Sequence, residues 1–170
     1  MTEDQLKNAI KDAIQKTSLD RLKSFAQQDD VELTENNLDF ESLSKKSLVV
    51  IIVAGDGIHQ IFKIFFDPKE SIQFLSTVYK KELDEDSLFD KSADFFKEVA
   101  NLVAGHMKKL FTDANLETEI SLPILLRGYD SLFFEQQVGD NSFNSTWALK
   151  HKGSEIICKV QCQLKNIGKN

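Results

Sequence analysis

Lys91–Phe111 reads KSADFFKEVANLVAGHMKKLF, and the rest of the chain is organised around this stretch. Phe96, Ala100, Val103, Met107 and Leu110 recur at three- and four-residue steps, which predicts a helix with one buried stripe. Phe95, Val99 and Leu102 widen that stripe. The other face carries Asp94, Glu98, Asn101, Gly105 and Lys108. The i, i+4, i+7 spacing of Asp94, Glu98 and Asn101 stacks their side chains along one surface line. Gly costs a helix interior about 1 kcal/mol relative to Ala, and Asn somewhat less, so a merely solvated face would favour Glu, Lys or Gln. Helix propensity does not explain Asn101, one turn from a carboxylate.

Working outward, Leu48–Val53 (LVVIIV) is almost continuously apolar and β-branched, as a central strand would be. Gly55-Asp56-Gly57 predicts a tight turn into a partner strand over Ile58–Asp67, with Ile58, Gln60, Phe62, Ile64 and Phe66 on one face. Pro68 suits the first turn of a helix running to Lys81. A charged loop, Glu82–Asp86, precedes the Lys91–Phe111 helix, and Ser87 and Asp90 are its candidate caps. Beyond that helix, strands are expected near Glu117–Leu126, Ser131–Gly139, Ser145–His151 and Glu155–Leu164. Turns at Gly128, Gly139-Asp140-Asn141 and Lys152-Gly153 separate them, which implies an antiparallel meander. Upstream, residues 2–28 read as helix with a break near Thr17-Ser18, where Thr17 caps a second segment. Val31-Glu32-Leu33 alternates as an edge strand would.

A chain of 170 residues is most simply one domain over 1–170, large enough to bury roughly two-thirds of its surface without disulfides or metals. A net charge of −6 argues against nucleic acid or an anionic membrane as partner. The opening MTEDQLKNAIKD does not read as a signal peptide, and the apolar run Leu48–Ala54 is too short to span a bilayer. Thirteen Phe against one Trp and two Tyr predict a core filled with phenylalanine. Cys158 and Cys162, alternating with polar residues in EIICKVQCQL, should both point into the core as free thiols. Two buried thiols suit a reducing, cytoplasmic setting. His59, His106 and His151 have no metal spacing and read as surface or half-buried residues. No Ser/His/Asp or Cys/His set is recognisable, and no glycine-rich phosphate loop follows a strand.

Asp94-x3-Glu98-x2-Asn101 followed by Pro123 in ISLPILLRG resembles the D/S-x3-E-x2-N-x22-P signature of the CheC/CheX/FliY chemotaxis phosphatases. The gap from Asn101 to Pro123 is 21 residues, and one residue fewer in the turn Thr112–Asn115 would account for the difference. VVIIVAGDG, EVANLVAG and ISLPILLRG carry further likeness to CheX. The resemblance implies an α/β (α+β) sandwich of the CheC/CheX kind, an antiparallel-rich sheet covered by long helices. It implies hydrolysis of the aspartyl phosphate on a CheY-like response regulator, whose receiver domain supplies the Mg²⁺. The protein then needs no cofactor or metal of its own. Asn101 would hold the attacking water, Glu98 would pair with the regulator's lysine, and Asp94 would support the helix or touch the partner's rim. Self-association through a sheet edge is a further implication. Read without the resemblance, Glu98 and Asn101 are a solvated helix face. An alternative function is a non-catalytic adaptor for a receiver domain or a flagellar-switch component. A third, a small-ligand sensor, rests only on the Phe-rich core.

Overall fold

The computed structural model describes residues 3–35, 43, 45–55, 57–79, 83–127 and 142–164. Among the described residues, three helices pack on a seven-stranded antiparallel sheet. The helices are α1 (Glu3–Ala26), α2 (Ile72–Tyr79) and α3 (Glu85–Asp113). The strands are β1 (Glu32–Glu35), β2 (Ser47–Gly55), β3 (Ile58–Phe66), β4 (Thr118–Ile120), β5 (Ile124–Leu126), β6 (Ser142–His151) and β7 (Ser154–Leu164). They lie in the order β1-β6-β7-β3-β2-β4, with β5 also pairing with β2. This is the α+β sandwich that the resemblance implies.

The sheet starts from the LVVIIV run. β2 and β3 form a hairpin in register from Ser47↔Phe66 to Gly55↔Ile58, and Gly57 takes a positive φ of 88° in the turn between them. Nearly every side chain of β3 is buried, since both faces of the sheet are covered there. β1 is an edge strand, as expected, paired among the described strands with β6 alone. The expected meander is not what the described strands form. β4 and β5 lie beside β2, while β6 and β7 continue the sheet on the far side of β3. The reason is local. α3 packs across β2, and its short exit through Ala114–Glu117 delivers the chain to the edge of that strand. Gly55 allows the approach: a Cβ there would stand 1.9 Å from the Glu117 carbonyl oxygen. The strand expected at Ser131–Gly139, with the turns at Gly128 and Gly139–Asn141, lies outside the described residues.

The main core lies beneath the helices and is aromatic, as the composition predicts. Phe66 meets Phe96 at a centroid separation of 4.7 Å, Phe95 meets Phe96 edge-on at 5.1 Å, and Phe25 of α1 meets Phe95 at 5.0 Å. A smaller cluster of Leu43, Leu48, Val50, Ile61, Phe65, Ala148 and Ile157 fills the opposite face of the sheet. No helix among the described residues is long and apolar enough to cross a membrane.

Four expected boundaries move. α1 runs unbroken through Thr17 and Ser18. Both are buried, and the Trp147 indole donates to Ser18 Oγ at 3.0 Å, so packing against the sheet keeps the helix continuous where Thr17 is expected to cap. α2 begins at Ile72 rather than beside Pro68, because Asp67 Oδ1 accepts from the backbone N–H groups of Lys69 and Glu70 and holds Pro68–Ser71 in a turn. α3 begins at Glu85, capped by Asp84, whose carboxylate accepts from Ser87 N–H at 2.7 Å. Ser87 and Asp90 therefore lie inside the helix. Hydrogen bonds from Ser87 hold the Asp84 carboxyl below the ordinary carboxylate range. The strand expected over Glu117–Leu126 is divided into β4 and β5.

Cys158 and Cys162 are free and buried among the core side chains of β7. Burial raises the Cys158 thiol well above its ordinary range and pushes Cys162 up to about 12, so neither holds appreciable thiolate near neutrality. A thiol reagent should therefore label the native protein slowly and the denatured protein at both positions. Rapid stoichiometric labelling of the native chain would contradict this placement.

Candidate functional site

α3 presents its two faces much as its sequence predicts. Phe95, Phe96, Val99, Ala100, Val103, Ala104, Met107 and Phe111 are buried, and Leu102 is half-buried. Leu110 departs from the expectation at 37% exposed, because the 3.6-residue period carries the stripe from Met107 to Phe111 instead. Asp94, Glu98, Asn101 and Gly105 are all exposed on the outer face. The structure therefore brings the three expected site residues together on one rigid helix. Neighbours one turn apart stand about 6 Å from each other at Cβ.

Their surroundings differ. Asp94 has a partner, Lys97 Nζ at 3.8 Å, and its charge adds to burial in raising the Tyr79 phenol above its ordinary range. Lys91 lies over the Tyr79 ring at 5.9 Å. Among the described residues, neither Glu98 nor Asn101 has a hydrogen bond or an ion pair. A free carboxylate and a free carboxamide thus project together from a helix whose opposite face is anchored in the core. Beyond them Gly105 is open: a Cβ there would meet nothing within 4 Å. Among the described residues, no packing demand accounts for the helix instability that glycine brings. An unobstructed helix surface, bearing one acceptor and one acceptor-donor, can meet a cation and orient a water on an incoming partner.

The edge of the sheet runs beside this helix. Lys108 Nζ bonds Glu119 Oε2 at 3.3 Å, and the Arg127 guanidinium lies 3.6 Å from the centre of the Phe89 ring. The second contact places Arg127 against the helix surface. From Phe89 to Lys108 an α-helix advances about 28 Å. From Glu119 to Arg127 an extended chain covers about 27 Å. Helix and edge strand therefore run side by side in opposite directions, with Pro123 midway along the strand.

The strand breaks there. β4 pairs Ile120 with Val53, and β5 pairs Ile124 with Val50, so four steps on the edge oppose three on β2. That extra residue is a β-bulge, and Pro123, which has no N–H to give the ladder, sits in it. Ser121 bridges the gap: its N–H donates to the Ile52 carbonyl at 2.9 Å, and its hydroxyl oxygen accepts from Ile52 N–H at 3.0 Å. Sequence reasoning missed this feature, although a proline within an apparent strand is its signal.

The described residues hold no group of three His, Cys, Asp or Glu side chains that could bind a metal. His106 meets Arg21 at 3.4 Å. His151 corrects the expectation of an exposed or half-buried ring: it is 2% exposed, packed against Phe74, with Nδ1 2.9 Å from Asp30 Oδ1. A recess of about 520 Å³ opens among Asp30, Glu32, Lys150, His151 and Glu155, and no α3 residue lines it. Its charged walls give the ligand-sensor reading, which rested on phenylalanine, no support.

No family profile matches the chain, and no curated protein sequence does. Solved structures match in fold. A chain of the CheX–CheY–BeF3–Mg²⁺ complex from Borrelia burgdorferi aligns with a TM-score of 0.72 at 14% identity, over 89% of this chain and 96% of that one. The chemotaxis protein CheX from Vibrio vulnificus aligns at 0.66 with 10% identity, over 91% and 99%. FliY from Thermotoga maritima aligns at 0.54 with 13% identity, over 96% and 91%. At such identities the likeness establishes the fold, which is that of the CheC/CheX/FliY structures.

Proposed function

We propose that this chain is a chemotaxis-type phosphatase that hydrolyses the aspartyl phosphate of a CheY-like receiver domain. The observation that carries the reading is the exposed, unpartnered pair Glu98 and Asn101, one turn apart on a core-anchored helix of the CheX fold. That a CheX–CheY complex contains a chain of this fold supports a CheY-like partner.

An acyl phosphate is already activated, so the reaction chiefly needs a water held in line with the scissile P–O bond. The Asn101 carboxamide oxygen accepts a hydrogen bond from that water and turns the water oxygen towards phosphorus. The water oxygen bonds to phosphorus as the P–O bond to the aspartyl carboxyl breaks. The carboxylate leaves with the electron pair, and the water proton passes to phosphate or solvent. The receiver brings its own Mg²⁺, which supplies charge neutralisation at the phosphoryl oxygens. Positioning of this kind suits a loose transition state, where a strong base contributes little. Glu98 pairs with the receiver's lysine and fixes the helix in register, giving orientation more than energy. Asp94, already paired with Lys97, supports the rim.

The direct test is the decay of a labelled phospho-receiver with and without this protein; an unchanged decay rate at saturation would end the phosphatase reading. Glu98→Ala should weaken both binding and turnover, each by about 2- to 10-fold, because its partner lysine is present before the transition state. Titrating receiver against the variant separates the two effects. The FliM–SpeE complex from H. pylori also contains a chain of this fold, at a TM-score of 0.59. That favours one second reading, a non-catalytic adaptor, which predicts tight receiver binding with no acceleration.

A further inference from the structure

Asp94, Glu98, Asn101, Gly105 and Lys108 follow one another by steps of four, three, four and three, so Gly105 continues the line of the candidate site one turn beyond Asn101. The helix is unbroken through all five positions, and the face of each follows from its period alone. At Gly105 the line is bare. A Cβ built there meets no heavy atom within 4 Å among the described residues, so neither Lys108 nor Lys109, which start one turn further on, leans over it. The flanking side chains are drawn aside instead. Lys108 Nζ reaches the sheet edge at Glu119 Oε2, 3.3 Å away, and His106 meets Arg21 of α1 on the other flank at 3.4 Å. Gly105 takes no positive φ, so the backbone conformation does not require glycine either. Neither crowding nor backbone shape calls for this residue, yet it costs the helix stability.

We infer that Gly105 is where the receiver's main chain crosses α3, and that the missing Cβ sets how deep Asn101 reaches into the phosphorylated pocket. This rests on the phosphatase reading and concerns the same helix surface. Asparagine is a short side chain, so its carboxamide can order a water against phosphorus only if the helix backbone itself comes close to the receiver. A side chain at the next turn, about 6 Å from Asn101 at Cβ, would meet the receiver first and hold the helix off. Glycine is the residue that lets a backbone be approached closely. A displacement of about 1 Å from the reactive geometry can cost about 10²-fold in rate. The occupant is the receiver because the clearing and the carboxamide lie one turn apart on one rigid helix, too close for separate partners. Whatever Asn101 enters must also cover Gly105.

The test is a series, Gly105→Ala and Gly105→Leu, set against wild type in two measurements. Turnover is followed by decay of labelled phospho-receiver across protein concentrations, and binding by fluorescence anisotropy of the beryllofluoride-loaded receiver. Both replacements are better helix formers at an open position, and thermal unfolding checks that neither melts below wild type. Gly105→Leu should lower the rate at saturation by about 10-fold or more and weaken binding, with Gly105→Ala between it and wild type. Made on top of Asn101→Ala, the leucine should still weaken binding but leave the residual rate at saturation within about 2-fold, because no held water remains to be misplaced. Equal losses of rate in the two backgrounds would overturn the positioning role. If wild type accelerates decay and Gly105→Leu matches it in rate and Kd, Gly105 sets no depth and the phosphatase reading stands. If wild type binds without accelerating, or binds no receiver, both fail. If Gly105→Leu separates a dimer in light scattering with receiver affinity intact, the glycine packs two copies of this chain and the proposal fails.

Discussion

Asn101→Ala should abolish most of the acceleration of receiver dephosphorylation, by about 10²-fold or more at saturation, while receiver binding stays close to wild type. The carboxamide acts on a water that is fully ordered only as the P–O bond breaks, so its removal raises the barrier without loosening the complex. The fold has no stake in the change. Asn101 is exposed and unpartnered, and Ala is the better helix former, so stability should hold or rise slightly. The contrast with Glu98→Ala, which should move affinity as well as rate, is what identifies positioning of water as distinct from general loss of contact. The measurement is the decay constant of labelled phospho-receiver at saturating protein, alongside anisotropy with the beryllofluoride-loaded receiver. If wild type accelerates decay and Asn101→Ala gives the same rate at saturation, Asn101 does not hold the water. If neither accelerates decay while both bind tightly, the chain is an adaptor.

How far the sequence could be read follows from which interactions are local. The α3 stripe and its polar face were legible because helical period is a property of neighbouring residues; its one error, Leu110 for Phe111, comes from stepping three where the period steps four. The β2–β3 hairpin was legible for the same reason, since LVVIIV and the glycine turn lie together. The cap was misplaced by local chemistry that several residues could satisfy. Asp84, Ser87 and Asp90 can all cap, and burial of Leu88 in the first turns decides for Asp84. Thr17 and Ser18 read as a break because nothing nearby predicts that an indole 129 residues away will occupy the Ser18 hydroxyl. The strand order and the bulge were hidden more deeply. Alternation assigns faces but not neighbours, and an extra residue in β4–β5 exists only relative to its partner β2. For the candidate site, the shared face of Asp94, Glu98 and Asn101 was legible through their spacing, whereas the bulge holding Pro123 needed the register against β2 to be placed.

Two glycines should respond to alanine with opposite signs, and the pair tests the geometry on which the site depends. Gly55→Ala brings a Cβ to 1.9 Å from the Glu117 carbonyl oxygen and 2.9 Å from Thr118 Cα, both main-chain atoms that no rotamer change can move. β2 and β4 must part at the Gly55↔Thr118 pair, and the strain passes into the strand that carries Glu119 and the bulge. The expected cost is about 1–3 kcal/mol, the range for overfilling a packed position. For a chain of this size that is a fall in Tm of roughly 2–12 °C. Gly105→Ala has open space around it and replaces the poorer helix former, so it should raise stability by up to about 1 kcal/mol. Thermal and urea unfolding followed by circular dichroism would measure both. A Gly55→Ala protein as stable as wild type would mean that β4 does not press against β2 as described. A Gly105→Ala protein that gains stability yet loses receiver affinity would show what the glycine is for: a helix surface kept bare so that another backbone can come close to Asn101.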